Sequence, residues 1–171
     1  THEHADHVRG VGVLSRRYGL PVYISPKTVG AAAGQIKEIR DVRHFRCGRS
    51  FAIDGLMLHP FSTSHDARDS VGFTVQRNGV KIGIATDLGA ATSVVRTHLR
   101  NCSLLVLESN HDPKMLMEGP YPWHLKQRVR GRTGHLANEA SRDLLGELLH
   151  DGLDHVVLAH LSEQNNTPEL A

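Results

Sequence analysis

The chain opens on Thr1-His2-Glu3-His4-Ala5-Asp6-His7, and the rest of the sequence is read outward from this heptapeptide. In an extended segment His2 and His4 alternate with Glu3 and so project the same way, while Asp6 and His7 follow as the chain turns into a helix. Four ligand-type side chains packed this densely bury no useful apolar surface, and they repel one another once charged. A cation held among them removes both problems. Histidine is abundant throughout, thirteen residues against eight Phe, Tyr and Trp together, and imidazole is the commonest protein ligand for borderline transition metals.

Beyond the heptapeptide, strands and helices alternate. Val8 to Tyr18 places Val8, Val11, Leu14 and Tyr18 on one helical face, Gly19 and Pro21 end the helix, and Val22 to Ile24 reads as a short buried strand. Ser50–Ile53 and Leu56–Phe61 flank Asp54-Gly55 as a hairpin, and Val71–Gln76 and Val80–Ala85 flank Asn78-Gly79 as a second. Val94–Leu99 is read as a helix, Leu104–Leu107 as a buried strand, Asn138–Leu149 as an amphipathic helix and Val156–Ala159 as a last apolar strand.

On that map the unusual polar residues fall at element ends: the heptapeptide before a helix, His65 after a strand, Asp87 after Ile82–Ala85 and His160 after Val156–Ala159. Strands that terminate in ligand-type residues present them along one rim of a sheet, where a rigid scaffold holds reactive groups. Two cations a few Å apart need about seven donors, with one carboxylate or hydroxide shared between them. His2, His4, Asp6, His7, His65, Asp87 and His160 make that number. Lone histidines such as His59 and His98 read instead as surface or core residues.

The heptapeptide matches the HxHxDH signature of the metallo-β-lactamase superfamily, and His65, Asp87 and His160 follow in the order that superfamily uses. The resemblance implies an α/β (α+β) fold, an αββα sandwich of two sheets between helices. It also implies that His2, His4 and His65 bind one metal, that Asp6, His7 and His160 bind a second, and that Asp87 bridges them. Asp6 and Asp87 then count as catalytic carboxylates, and a metal-bound hydroxide is the nucleophile. Ser64-His65-Asp66-Ala67, Glu108-Ser109-Asn110-His111-Asp112, Gly134-His135-Leu136-Ala137-Asn138 and Ala159-His160-Leu161-Ser162 extend the likeness to the YycJ-like (WalJ-like) branch over nearly the whole chain. This branch implies phosphodiester cleavage, a nuclease or exonuclease acting on DNA, with two divalent ions, zinc or manganese. Members of the superfamily normally carry several strands ahead of the HxHxDH loop. The resemblance therefore leads us to expect a single domain over 1–171 that is incomplete at its N-terminus and ends early, with unpaired strand edges.

A His and carboxylate donor set without cysteine suits hard, oxygen-rich substrates such as phosphate. Lys126, Arg128, Arg130 and Arg132 alternate just ahead of His135 and are read as a track for a phosphate backbone, although a solvated basic loop has the same composition. His135 and Asn138 are read as substrate-facing donors at a helix start, with the alternative that Asn138 caps that helix. Glu108 and Asp112 follow a buried strand and are read as groups that orient a metal-bound imidazole, with a capped turn as the alternative. A thioesterase or lactonase using the same metals, and a catalytically silent fragment that binds metal or DNA, remain the alternatives.

Composition narrows the class. At 171 residues with 39% hydrophobic and 22% charged content the chain supports one core. No apolar run approaches the ~20 residues that span a bilayer, and no basic-then-apolar start reads as a signal peptide. Cys47 and Cys102 form no CxxC and read as small core residues, reduced as in the cytoplasm. A net charge of +2 confines any nucleic-acid surface to local clusters. Oligomeric state is not encoded in these patterns.

Overall fold

The structure, a computed structural model, describes residues 1–171. Its elements run α1 (Ala5–Val8), α2 (Val11–Tyr18), β1 (Val22–Ile24), α3 (Pro26–Ala32), β2 (Val42–His44), β3 (Phe51–Ile53), β4 (Leu56–Ser62), β5 (Val71–Arg77), β6 (Val80–Ala85), α4 (Ser93–Leu99), β7 (Leu104–Glu108), α5 (Pro113–Glu118), α6 (Trp123–Val129), α7 (Asn138–Leu148) and β8 (His155–Ala159). β1 and β2 form a small parallel sheet, and β3 to β8 form a six-stranded sheet in sequence order.

Both hairpins form where the turn dipeptides predict. Asp54 and Gly55 have φ of 46° and 81°, Asn78 and Gly79 have 50° and 83°, the double positive φ that a tight hairpin turn demands. β3 to β6 are joined antiparallel, whereas β6, β7 and β8 are parallel. It follows that β4, β6, β7 and β8 all run the same way, so their C-terminal ends share one rim. His65, Asp87, Glu108 and His160 lie at those four ends.

Helices α4 and α7 cover one face of this sheet. Phe61, Ala85, Val95, Leu99, Leu105, Leu107, Leu144 and Leu148 form the buried core between them, with Cys102 among them; Cys47 is only half-buried. On the other side Phe45 packs on Phe51 and Phe73 at centroid distances of 5.7 and 5.4 Å, and Phe51 stacks on Tyr23 of β1 at 5.2 Å. Aromatic contacts thus join the small sheet to the large one. The fold is mixed α/β, two β layers with helices, as expected.

Several elements differ from the reading of the sequence. The helix drawn over Val8–Tyr18 is two pieces, α1 and α2, separated at Arg9 and Gly10. Leu14 and Tyr18 are exposed, while Gly12 and Ser15 are buried. The cause is a close backbone approach: a Cβ at Gly12 would lie 2.9 Å from the Lys37 carbonyl oxygen, so the helix docks through its small residues. Helix α3 was not anticipated, although Ser25 caps it by accepting from Thr28 N–H and Pro26 opens it. Helix α5 is likewise capped by Asp112, which accepts from Met115 N–H at 2.7 Å, with Pro113 at its start.

Candidate metal centre

The heptapeptide folds over the rim where β4, β6, β7 and β8 end. His2 and His65 are buried and their rings are 4.8 Å apart, with His4 at 4.5 Å from His2 and 5.0 Å from His65. His65 Nε2 lies 3.1 Å from His4 Nδ1. Beside this triad, His7 Nε2 approaches Asp6 at 3.4 Å and Asp87 at 3.2 Å, and His160 Nε2 lies 3.4 Å from Asp6 and 3.5 Å from Asp87. The donor atoms fall into overlapping sets: His2, His4 and His65; Asp6, His7 and His160; His2, His7 and Asp87. Asp87 also joins Glu108, His135 and His160 in a fourth set. Every residue that the sequence singled out as a metal ligand is therefore in this one cluster.

The ring nitrogens facing away from the cluster are engaged. Thr1 Oγ1 lies 3.1 Å from His2 Nδ1 and 2.9 Å from His7 Nδ1. The Gly134 carbonyl accepts from His65 Nδ1 at 2.9 Å. Glu108, fully buried at the end of β7, accepts from His135 Nδ1 at 2.8 Å and His160 Nδ1 at 2.9 Å, and its other oxygen accepts from the Leu88 and Leu136 N–H groups at 2.9 and 3.0 Å. Such contacts fix the orientation of each imidazole. Asp87 and His160 both sit in the left-handed region, at φ of 57° and 58°, a conformation costly for residues with a Cβ and concentrated at functional sites.

The electrostatics follow from burial and neighbours. Burial pushes His2 down to about 3 and lowers His65 as well. His160 moves the other way, raised to about 9 chiefly by its hydrogen bond to Glu108 with Asp87 adding to it. Burial alone would raise Asp87 and Glu108. A hydrogen bond from His7 and the charges of His160 and His7 hold Asp87 well below the usual carboxylate range, and bonds from His135 and His160 lower Glu108. His2, His65, Asp87 and Glu108 are thus held in the forms that bind a cation, whereas His160 must give up its proton to do so. His2 Nε2 is buried with no hydrogen-bond partner, and buried Asp87 Oδ2 faces the His7 ring at 3.2 Å, two lone pairs suited to a cation.

The other site assignments from the sequence land in different places. His135 joins the cluster, 3.9 Å from Asp87 and with its ring 5.0 Å from that of His65. Asn138 does not face it: its amide is taken up by Ser109, Asn166 and the Leu170 carbonyl. Nor is it a cap, because Ala137 holds the N-cap position of α7. Asp112 caps α5 and contacts no cluster imidazole by hydrogen bond. The basic track is not extended either, since α6 sends its cations around a helix. Lys126 Nζ donates to the Met117 carbonyl, Arg130 lies over the Trp123 ring at 5.3 Å, and Arg128 reaches the rim, gripping Asp66 through two bonds of 2.6 and 3.2 Å.

Asp66 was quoted only as part of a string, yet its Oδ1 is 3.5 Å from His65 Nε2 and 3.8 Å from His4 Nε2. Its place next to His65 was the one available signal. Thr1 and the Gly134 carbonyl carried none.

The Beta-lactamase superfamily domain family matches residues 1–161. Exodeoxyribonuclease YycJ of Bacillus anthracis is 36% identical over 173 residues, covering the whole chain and 66% of the relative. Exodeoxyribonuclease WalJ of Streptococcus pneumoniae serotype 2 is 33% identical over 175 residues, covering the whole chain and 65% of the relative. The chain thus spans just under two-thirds of the length of these curated relatives. In structure it is similar to the metallo-β-lactamase fold protein YhfI from Bacillus subtilis, with a TM-score of 0.75 at 16% identity over 99% of this chain and 66% of that one. The chain belongs to the β-lactamase superfamily and carries the metallo-β-lactamase fold.

Proposed function

We propose that the chain is a metal-dependent phosphodiesterase that removes nucleotides from DNA ends, and that it works with two divalent cations. The observation carrying this reading is the buried, unpartnered His2 Nε2 within overlapping sets of His and carboxylate ligands that share Asp87. His2, His4 and His65 would hold one cation, Asp6, His7 and His160 the other, and Asp87 would be shared. Two such ions supply Lewis acidity to a phosphoryl oxygen and bring the pKa of a bound water from about 15.7 toward about 7. The absence of cysteine from the donor set favours a hard phosphate oxygen as the partner, and the names of the YycJ and WalJ relatives support DNA as its source.

The protein's own part is placement and charge. Glu108 holds His160 and His135 by their Nδ1 atoms, so the Nε2 atom of each is free to face the reaction centre. His135, when protonated at both nitrogens, can donate from Nε2 to a phosphate oxygen while Nδ1 stays with Glu108. Arg128, braced against Asp66, holds a fixed positive charge at the rim, and a guanidinium suits phosphate geometry.

Metal analysis joined to an activity panel tests the proposal. The purified chain should retain a divalent metal and shorten end-labelled linear DNA, and chelation should abolish cleavage. Asp87→Ala should lower activity by at least about 10²-fold, as expected of a charge that both cations share. Covalently closed circular DNA should resist. Cleavage of thioesters or lactones alone, or activity indifferent to chelation, would overturn the reading.

A further inference from the structure

Next to the cluster, a groove of about 370 Å3 opens between His135 and His160 on one side and the start of α6 on the other. Its size falls within the range of small-ligand sites, about 300–1,000 Å3. Tyr121, Leu125 and Leu161 supply apolar wall, and Asn110, Ser162 and Gln164 supply neutral hydrogen-bonding groups. Away from the cluster histidines its formal charges are one Arg128 and one Glu163, which offset each other. Such a lining does not suit a row of phosphates, which wants several cations. It suits a neutral, planar, hydrogen-bonding group lying beside the single phosphate at the metal cluster.

We propose that this groove is a nucleobase subsite, which takes one unstacked base of the DNA end next to the phosphate being cut. The proposal rests on the phosphodiester reading above. Tyr121 is presented rigidly. It stands between Pro120 and Pro122, each proline fixes its own φ, and Pro122 restricts Tyr121 to extended conformations. A preorganised aromatic flanked by Leu125 offers a face on which any base can stack. The Gln164 side chain and the Asn110 Oδ1 are the neutral polar groups available to a base edge, since the Ser162 hydroxyl accepts from Gln164 N and Asn165 within its own turn. Asn110 is fixed in place because its Nδ2 donates to the His160 carbonyl at 2.8 Å. A base enters such a pocket only when unpaired from its complement, so frayed or single-stranded ends are the favoured substrates.

Binding, read apart from turnover, tests this. Fluorescence anisotropy would compare a labelled, phosphorothioate-linked single-stranded trinucleotide with two analogues, each lacking the base at one end. One analogue should bind about five- to 150-fold more weakly, the worth of one base–aromatic stack. Tyr121→Ala should weaken the intact trinucleotide to that level and leave the weak analogue unchanged. Leu125→Ala should repeat the pattern, which keeps the result readable if the tyrosine variant unfolds. Equal binding of all three trinucleotides by the parent, or equal weakening of all three by the variants, would overturn the subsite. So would displacement of the trinucleotide by an octanoyl amide at lower concentration than by a nucleoside monophosphate, which would mark an acyl groove. Base preference without cleavage of any phosphodiester would sink the exonuclease reading and uphold the subsite; cleavage indifferent to the missing base and to Tyr121→Ala would do the reverse.

Discussion

At the scale of single residues, Glu108 has the most partners to lose. Its carboxylate serves two imidazoles and two backbone N–H groups in a fully buried position. Replacing it with alanine strands all four, and breaking a buried charged network of this kind costs about 3–5 kcal/mol. Urea denaturation of Glu108→Ala should show a loss of that order, and metal affinity by calorimetry should fall about 10–100-fold, as for other residues that orient metal-bound histidines. Glu108→Gln, which keeps one acceptor oxygen, should lose less of both. His98 offers a pH test away from the cluster. It stacks on Phe61 at 5.0 Å and on His59 at 4.6 Å. Burial, then the proximity of His59 and Lys81, pushes it below its ordinary value of 6.5. The unfolded chain therefore takes up this proton more readily than the folded one. Its contribution to stability is complete above pH 6.5 and is lost as pH falls through the lowered folded value. Melting temperatures of the parent should drop between pH 7 and 5, roughly the range of histidine titration, and His98→Phe should flatten that drop; an unchanged slope would remove His98 from the account.

At the scale of elements, the loop that follows α6 is fixed by close backbone contacts. A Cβ at Gly134 would collide with the carbonyl oxygens of Arg128 and Val129, and the Gly134 carbonyl is the partner of His65. Gly134→Ala should therefore destabilise the fold by about 1–3 kcal/mol through overpacking and displace His65. Denaturant midpoints and metal content, read on the same protein, check the two effects together. The elements also show what the sequence could reveal. Thr1 to His7 was legible because four donors lie within one local segment, and the hairpins were legible because Asp54-Gly55 and Asn78-Gly79 state their own turn type. The paired service of Glu108 to His135 and His160 was not, because those partners are 27 and 52 residues away and meet only through the parallel order β6-β7-β8. Helix α6 was missed because Pro122 caps it without a side-chain bond, so alternating cations were the stronger local signal. The same helical turn removed Lys126 and Arg130 from the rim and left Arg128 there. Asn138 was misplaced for a similar reason: the tail carrying Asn166 and Leu170 folds back onto it, a contact no local pattern encodes.

At the scale of the whole molecule, the six-stranded sheet ends in β8, which has a neighbour on one side only. Val156, Val157 and Leu158 are 37%, 47% and 37% exposed on that strand. An apolar edge of this kind is a template for pairing with another chain. Concentration-dependent light scattering should reveal association, and Val157→Lys should suppress it while circular dichroism stays unchanged. Scattering that persists in Val157→Lys would place the contact elsewhere, for instance on the exposed Leu14 and Tyr18 of α2. No helix is long and apolar enough to cross a membrane.

Asp6 and His160 meet at 3.4 Å although 154 positions separate them along the chain. A cation gripped by both would tie residues 6 to 160 into one ring. Because such a ligand pair exists only in the folded chain, the cation would favour that state by mass action, by about 2.7 kcal/mol at a free concentration about 100 times its dissociation constant. The ion that equips the molecule for hydrolysis would thus also act as its clasp, and starvation for metal would loosen the Thr1–His7 segment and the end of β8 together.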